Sequence, residues 1–143
     1  MASPASAANP AGLEDVVAAT SSICFLDGKQ GRLLYRGYDI HDLAANASYE
    51  EVVYLLLHDD LPTKAQLEEQ NGKLADNREV PADVVKLLET LPKDRTHPME
   101  LLRTTVSALS AYDPDGFRDN SIPANVRKAE RLIAQLPTLA AYI

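Results

Sequence analysis

The chain has 143 residues, 45% of them hydrophobic, one cysteine and no tryptophan, which fits one folded unit able to bury about two-thirds of its unfolded surface. No run nears the roughly 20 apolar residues that cross a bilayer, and the first residues lack a basic flank followed by an apolar stretch, so the sequence predicts a cytoplasmic protein without a membrane partner. The net charge of −7 is concentrated in residues 1–60, where nine acids face three bases; with no basic stripe to neutralise phosphate, nucleic acid is excluded as the main partner.

Residues 1–11, MASPASAANPA, are Ala, Ser and Pro without periodicity and read as a disordered tail. A short apolar cluster at helical spacing follows, Leu13, Val16 and Val17. SICFL (22–26) and RLLY (32–35) are β-favourable runs joined by the five residues DGKQG, whose glycines supply positive φ; this predicts a hairpin, and the only sheet.

Everything after Gly37 reads helical. Asp39 caps a brief helix through about Ala45. Ser48 with Glu51 has the spacing of a capping box and opens a helix through Leu57 that HDDLP (58–62) closes. Its apolar positions run almost all the way round, which predicts a core helix. Thr63 with Gln66 repeats the box and opens a polar helix over 64–76, expected to be peripheral because Ala65, Leu67, Leu74 and Ala75 make only a thin stripe. Pro81 starts another helix, ended by Pro92. Pro98 opens the next, with Leu102, Thr105, Val106, Leu109 and Tyr112 on one stripe, and DPDG (113–116) breaks it.

Beside that stripe Thr104, Ser107, Ala108 and Ala111 form a row of small side chains. Such a row admits another backbone closely, either within the chain or across a subunit interface. The last helix begins near 121–123 and carries Val126, Ala129, Leu132, Ile133, Leu136, Leu139 and Ala140. Pro137 is expected to kink or divide it, since it lacks an amide donor and clashes with the preceding turn. The ending, TLAAYI, has no Gly cap and no basic last turn. Two readings follow, a docked apolar helix or a sequence cut in mid-element, and the second is preferred.

Three histidines are candidates for acid–base work. His41 is flanked by Asp39 and Asp42 at a helix start and reads as solvated. His58 sits at a helix C-terminus, where the dipole favours a cation. His97 precedes Pro98 at a helix N-terminus, which suits a neutral structural ring or a member of a pocket wall. No two have the i, i+4 spacing of a metal pair, and Cys24 alone forms neither an internal disulfide nor a cysteine cage, so no metal site is expected. Neither a G-x-S-x-G elbow nor a glycine-rich phosphate loop is present. The acid pairs Glu14-Asp15, Glu50-Glu51, Asp59-Asp60 and Glu68-Glu69 read as solvated surface, because neighbouring helical residues do not share a face. Arg36, at the hairpin exit, is suited to bridging carbonyls or a carboxylate, and a role in holding the fold is expected of it. The residues alone predict a mainly α domain and assign no catalytic side chain.

Several motifs in order and at matching spacing carry a resemblance: GLEDVV (12–17), GRLLYRGYDI (31–40), EEVVYL (50–55) with LPT (61–63), and HPM (97–99) followed by LRT and VSAL (102–104 and 106–109). Over residues 12–143 they resemble the N-terminal region of citrate synthase and 2-methylcitrate synthase of the bacterial type. The resemblance implies part of a multihelical large domain with one short N-terminal hairpin. It also implies an acyltransferase of the tricarboxylic acid cycle, a homodimer that condenses acetyl-CoA with oxaloacetate and needs no further cofactor. In that family an aspartate deprotonates the acetyl methyl group, two histidines serve the enol and ketone oxygens, and arginines hold the carboxylates. A carboxylate is too weak a base for a carbon acid unless the developing oxyanion is stabilised at the same moment. None of those groups has a counterpart in residues 1–143, so no catalytic residue is assigned and the isolated segment is expected to be inactive. The alternatives are a 2-methylcitrate synthase segment using propionyl-CoA and a stand-alone helical module that binds a partner without catalysis.

Overall fold

The computed structural model describes residues 19–116 and 118–143; the expected tail, the Leu13, Val16, Val17 cluster and Glu14-Asp15 lie outside them. Strands β1 (Cys24–Asp27) and β2 (Arg32–Tyr35) pair antiparallel, Cys24 opposite Tyr35 and Asp27 opposite Arg32. Because Asp27 belongs to the ladder, the connecting loop has four residues, and the Asp27 carboxylate accepts from the N–H groups of Lys29 and Gln30 at 2.9 and 3.0 Å. The expected hairpin is therefore present but not complete. Arg36 and Gly37 take positive φ values of 49° and 91°, turning the chain back so that β3 (Tyr38–Asp39) pairs with β2. Among the described residues the sheet thus has three strands rather than the expected two, and the first helix begins at Ile40 behind the expected cap Asp39.

Six helices follow: α1 (Ile40–Asn46), α2 (Tyr49–His58), α3 (Lys64–Asp76), α4 (Ala82–Thr90), α5 (Pro98–Leu109) and α6 (Ile122–Tyr142). Side chains set most of the starts. The Asp39 carboxylate accepts from the His41 N–H at 2.9 Å. At α2, Ser48 Oγ accepts from the Glu51 N–H at 3.2 Å while Glu51 Oε2 accepts from the Ser48 N–H at 2.6 Å. At α3, Thr63 and Gln66 exchange the same two bonds. Each box satisfies amides that the first helical turn cannot. A 3-10 turn, Ser110–Tyr112, extends α5 before the DPDG break.

The core lies where α4, α5 and α6 meet: Val80 and Val84, Leu109 and Leu139, with Val85, Leu102, Val106 and Ala108 packed around them. Helix α3 is peripheral, as its thin stripe predicts: it packs on α2 and α6 and encloses only Leu74 and Gln70, most of its other side chains being exposed. Helix α2 is less buried than its apolar circumference suggested, since only Val53 and Leu55 are enclosed and Tyr49 is 65% exposed. Pro137 does not divide α6, which runs on to Tyr142. The buried Leu139 beyond it anchors the last turns against α4 and α5, so packing outweighs the missing amide.

Candidate functional site

The three histidines occupy the ends of three helices. His97 caps α5: its Nδ1 accepts from the Met99 N–H at 3.2 Å, and Glu100 Oε2 accepts from the His97 N–H at 3.3 Å. This is the structural ring expected from the sequence, held as part of a capping box. His58 closes α2 with its ring 4.3 Å from that of Tyr54. His41 is exposed in the first turn of α1. Among the described residues no histidine ring nitrogen bonds a carboxylate, and no group of three His, Cys, Asp or Glu side chains has the arrangement of a metal site. Cys24 is exposed on β1.

Arg36 does what its setting suggested. Its guanidinium donates to Ser22 Oγ at 2.6 Å, reaches the Leu56 carbonyl at 3.4 Å, and pairs with Asp59 at 2.6 Å. Next to it, Tyr38 donates to Asp60 at 2.7 Å, a bond that lowers the Asp60 carboxyl and raises the tyrosine hydroxyl from their ordinary ranges. Members of all three acid pairs that fall among the described residues therefore have partners. Asp59 and Asp60 tether the hairpin to α2, and Glu51 caps that helix. Glu69 bonds Lys73 at 2.8 Å.

The densest polar cluster escaped the sequence reading. The break after the 3-10 turn presents Asp113 and Asp115 to Arg127 and Arg131, one turn apart on α6. Arg131 grips both oxygens of Asp113, at 3.1 and 2.8 Å, and also reaches Asp115 at 2.5 Å. Arg127 holds Asp115 from the other side through Nε at 3.2 Å and Nη2 at 2.5 Å. The hydrogen bonds from Arg127, then those from Arg131, hold the Asp115 carboxyl far below the usual carboxylate range. Burial opposes ionisation of Asp113, but Arg131 and the Asp115 N–H outweigh it and its carboxyl is lowered too. The spacing offered a signal: two acids two apart in a turn, then two arginines four apart on one helix face. With two charges of each sign and both guanidiniums committed, the cluster fastens the α5–α6 elbow and leaves no spare cation for an anionic substrate.

Beside this elbow lies a cleft of about 470 Å³ with Pro81, Val106, Leu109, Tyr112, Leu132 and Gln135 in its wall. A second, of about 570 Å³, opens between Tyr49, Leu74, Ile133, Pro137 and Tyr142. No histidine lines either one, and both suit apolar side chains better than polar chemistry. Of the small-residue row, Thr104 and Ser107 of α5 and Ala111 of the 3-10 turn are exposed while Ala108 packs toward the core. The row therefore serves internal packing only through Ala108. Among the described residues no helix is long and apolar enough to cross a membrane.

Residues 12–143 match the family model described as citrate synthase, C-terminal domain. The chain is 46% identical to a citrate synthase of Haloferax volcanii and 42% identical to a citrate/2-methylcitrate synthase of Bacillus subtilis, covering 92% and 91% of its own length. It spans 35% and 34% of those two proteins, about a third of the length of the curated relatives it matches. Among solved structures it superposes on the citrate synthase of Pyrobaculum aerophilum with a TM-score of 0.82 at 39% identity, covering 92% of this chain and 34% of that one. On the Thermoplasma acidophilum enzyme, solved as a ternary complex with carboxymethyl coenzyme A and oxaloacetate, the TM-score is 0.80 at 26% identity, covering 90% and 33%.

Proposed function

The chain belongs to the citrate synthase family, and on that premise we propose that it forms the N-terminal helical part of the large domain of an acyltransferase that condenses acetyl-CoA with oxaloacetate, giving citrate and CoA. The observation that carries this reading is the 46% identity sustained over 92% of the chain. The N-terminal placement rests on the order of the RGYDI and HPM motifs, which here end the hairpin and cap α5. The Thermoplasma relative's ligands supply the substrate classes.

In this reading residues 12–143 build scaffold and contribute no catalytic group, and His41, His58 and His97 stay structural. The base that takes the acetyl proton, and the donors that stabilise the enol and ketone oxygens, come from the two-thirds of the relatives' length that the chain does not span. The segment's contribution is rigidity: a condensation whose base and oxyanion donors must act together tolerates little drift in the frame that carries them. The assembly is a cytoplasmic homodimer. The exposed Thr104, Ser107 and Ala111 support a close helix contact between subunits along α5 and its 3-10 extension.

The dual-named Bacillus relative, together with a 2-methylcitrate synthase of Mycobacterium tuberculosis at 41% identity, supports propionyl-CoA as the alternative acyl donor. The distinction is one methylene, worth roughly 1–3 kcal/mol in a fitted pocket. Thiol release followed with oxaloacetate and each acyl-CoA tests the proposal: the full-length protein turns over one or both, and residues 1–143 expressed alone turn over neither. Turnover by the isolated segment would refute the scaffold assignment, and an inactive full-length protein would refute the enzyme.

A further inference from the structure

Helix α3 carries a dipeptide that the scaffold role does not use. Asn71 is the only asparagine of the chain followed by glycine, and Asn71 and Gly72 are both exposed near the middle of the helix. The side chains of Asn46, Asn77 and Asn125 each donate to a backbone carbonyl, at 3.0, 2.7 and 3.2 Å, and the amide that follows Asn120 donates to Asp119 Oδ1 at 2.9 Å. Asn71 has no such tie: among the described residues its side chain bonds nothing. No packing demand explains the glycine beside it, because a Cβ at position 72 would meet open space, although glycine inside a helix is destabilising relative to alanine. The Glu69–Lys73 ion pair, 2.8 Å long, straddles the dipeptide, and Gln70 and Leu74 on its two sides are buried.

An asparagine before glycine is the arrangement most open to intramolecular deamidation, because no Cβ shields the nitrogen that attacks. The Gly72 nitrogen gives up its proton and bonds to Asn71 Cγ; the Cγ–Nδ2 bond breaks and ammonia leaves with that proton, closing a cyclic imide. Water then splits one of the two imide C–N bonds. Opening at Cγ leaves an aspartate side chain on an ordinary backbone, whereas opening at the residue 71 carbonyl carbon routes the main chain through Cγ as isoaspartate, one methylene longer. Water is the only co-reactant. An α-helix opposes the first step, since it holds the Gly72 N–H on the carbonyl four residues earlier and fixes Asn71 at a ψ that keeps Cγ away from that nitrogen. We propose that Asn71–Gly72 is a deamidation site gated by the opening of α3, and that its isoaspartate product loosens α3 from α2 and α6. The added methylene falls between the buried Gln70 and Leu74 and shifts Leu74 from its place beside Ile133 and Ala134. The site is independent of which reaction the full-length protein catalyses.

The test ages the full-length protein at neutral pH, folded and in urea, and follows residues 71–72 by peptide mass. Exchange of NH₂ for OH marks the reaction and sets it apart from isomerisation at Asp27–Gly28 or Asp115–Gly116, which leaves the mass unchanged. In urea Asn71 should be the first asparagine of this segment to convert, and folding should slow it about tenfold or more. Gly72→Ala should suppress conversion in both states. Thr63→Ala removes the hydroxyl that caps α3; it should speed the folded-state reaction several-fold and leave the rate in urea unchanged. The isoaspartate form, separated by chromatography, should melt below the parent. Another asparagine of the segment converting first in urea would overturn the site. Equal rates in the folded and unfolded protein, or a folded-state rate unmoved by Thr63→Ala, would overturn the gate, and an isoaspartate form that melts with the parent would overturn the loosening.

Discussion

Leu139 and Leu132 lie on the same helix, two turns apart, and provide an internal comparison for the assignment of the core. Leu139 is fully enclosed, against Val80 just before α4, Val84 of α4 and Leu109 of α5, whereas Leu132 is 36% exposed. Leu139→Ala removes three carbons from a site with no exposure and leaves a cavity between three helices that are tied at both ends, so little collapse is available; the expected cost is about 3 kcal/mol. For Leu132→Ala, already part-wetted in the folded chain, about 1 kcal/mol or less is expected. If the segment unfolds as a unit, its unfolding entropy of about 0.3 kcal/mol per degree converts the larger cost into a fall of about 10 °C in midpoint, and a smaller fall within a longer cooperative protein. Urea titration followed by helical circular dichroism should show the Leu139 variant's midpoint shifted with an unchanged slope. Equal losses for the two variants would refute the burial argument.

Gly37 holds φ at 91° in the turn that leads into β3. Gly37→Ala should cost about 1–2 kcal/mol and raise amide exchange at Tyr38 and Asp39 while sparing α4–α6. Ser48→Ala removes one half of the α2 box and should cost about 1 kcal/mol, seen as a lowered urea midpoint. The Asp113 and Asp115 carboxyls are depressed in the folded state, so their contribution is complete above the unfolded carboxylate range and is lost as pH falls toward the folded values. Melting midpoints taken downward from pH 5 should therefore decline, and Asp115→Asn should flatten that decline; an unchanged acid profile in the variant would contradict the assignment.

The capping residues were legible because their partners lie three residues away: Ser48 with Glu51, Thr63 with Gln66. Pro98 marked the start of α5 for an equally local reason, a ring that needs no amide partner. Strand β3 was not legible, since a two-residue strand has no pattern and exists because Arg36 and Gly37 reverse the chain. The continuity of α6 through Pro137 depends on how Leu139 is packed by other helices, and periodicity does not report that. The clamp joins Arg131 to Asp113 across 18 residues, and each member alone looks like ordinary surface charge. The family was recognisable from motifs, and two of them, RGYDI and HPM, fall at the turn that ends the hairpin and at the cap of α5.

Asp59 ends α2 in a left-handed conformation and, through its side chain, grips Arg36; Asp60 receives Tyr38; Thr63 already belongs to the next helix as its cap. The connector from α2 to α3 thus leaves only Leu61 and Pro62 without a side-chain bond of this kind. Lengthening it as a graft point would uncouple helix termination from sheet docking, so protein engineers seeking a permissive position for a tag or an inserted peptide should turn to the outward tip at residues 28–30, where additional residues would disturb a solvent-facing bend and the two bonds that Asp27 accepts there.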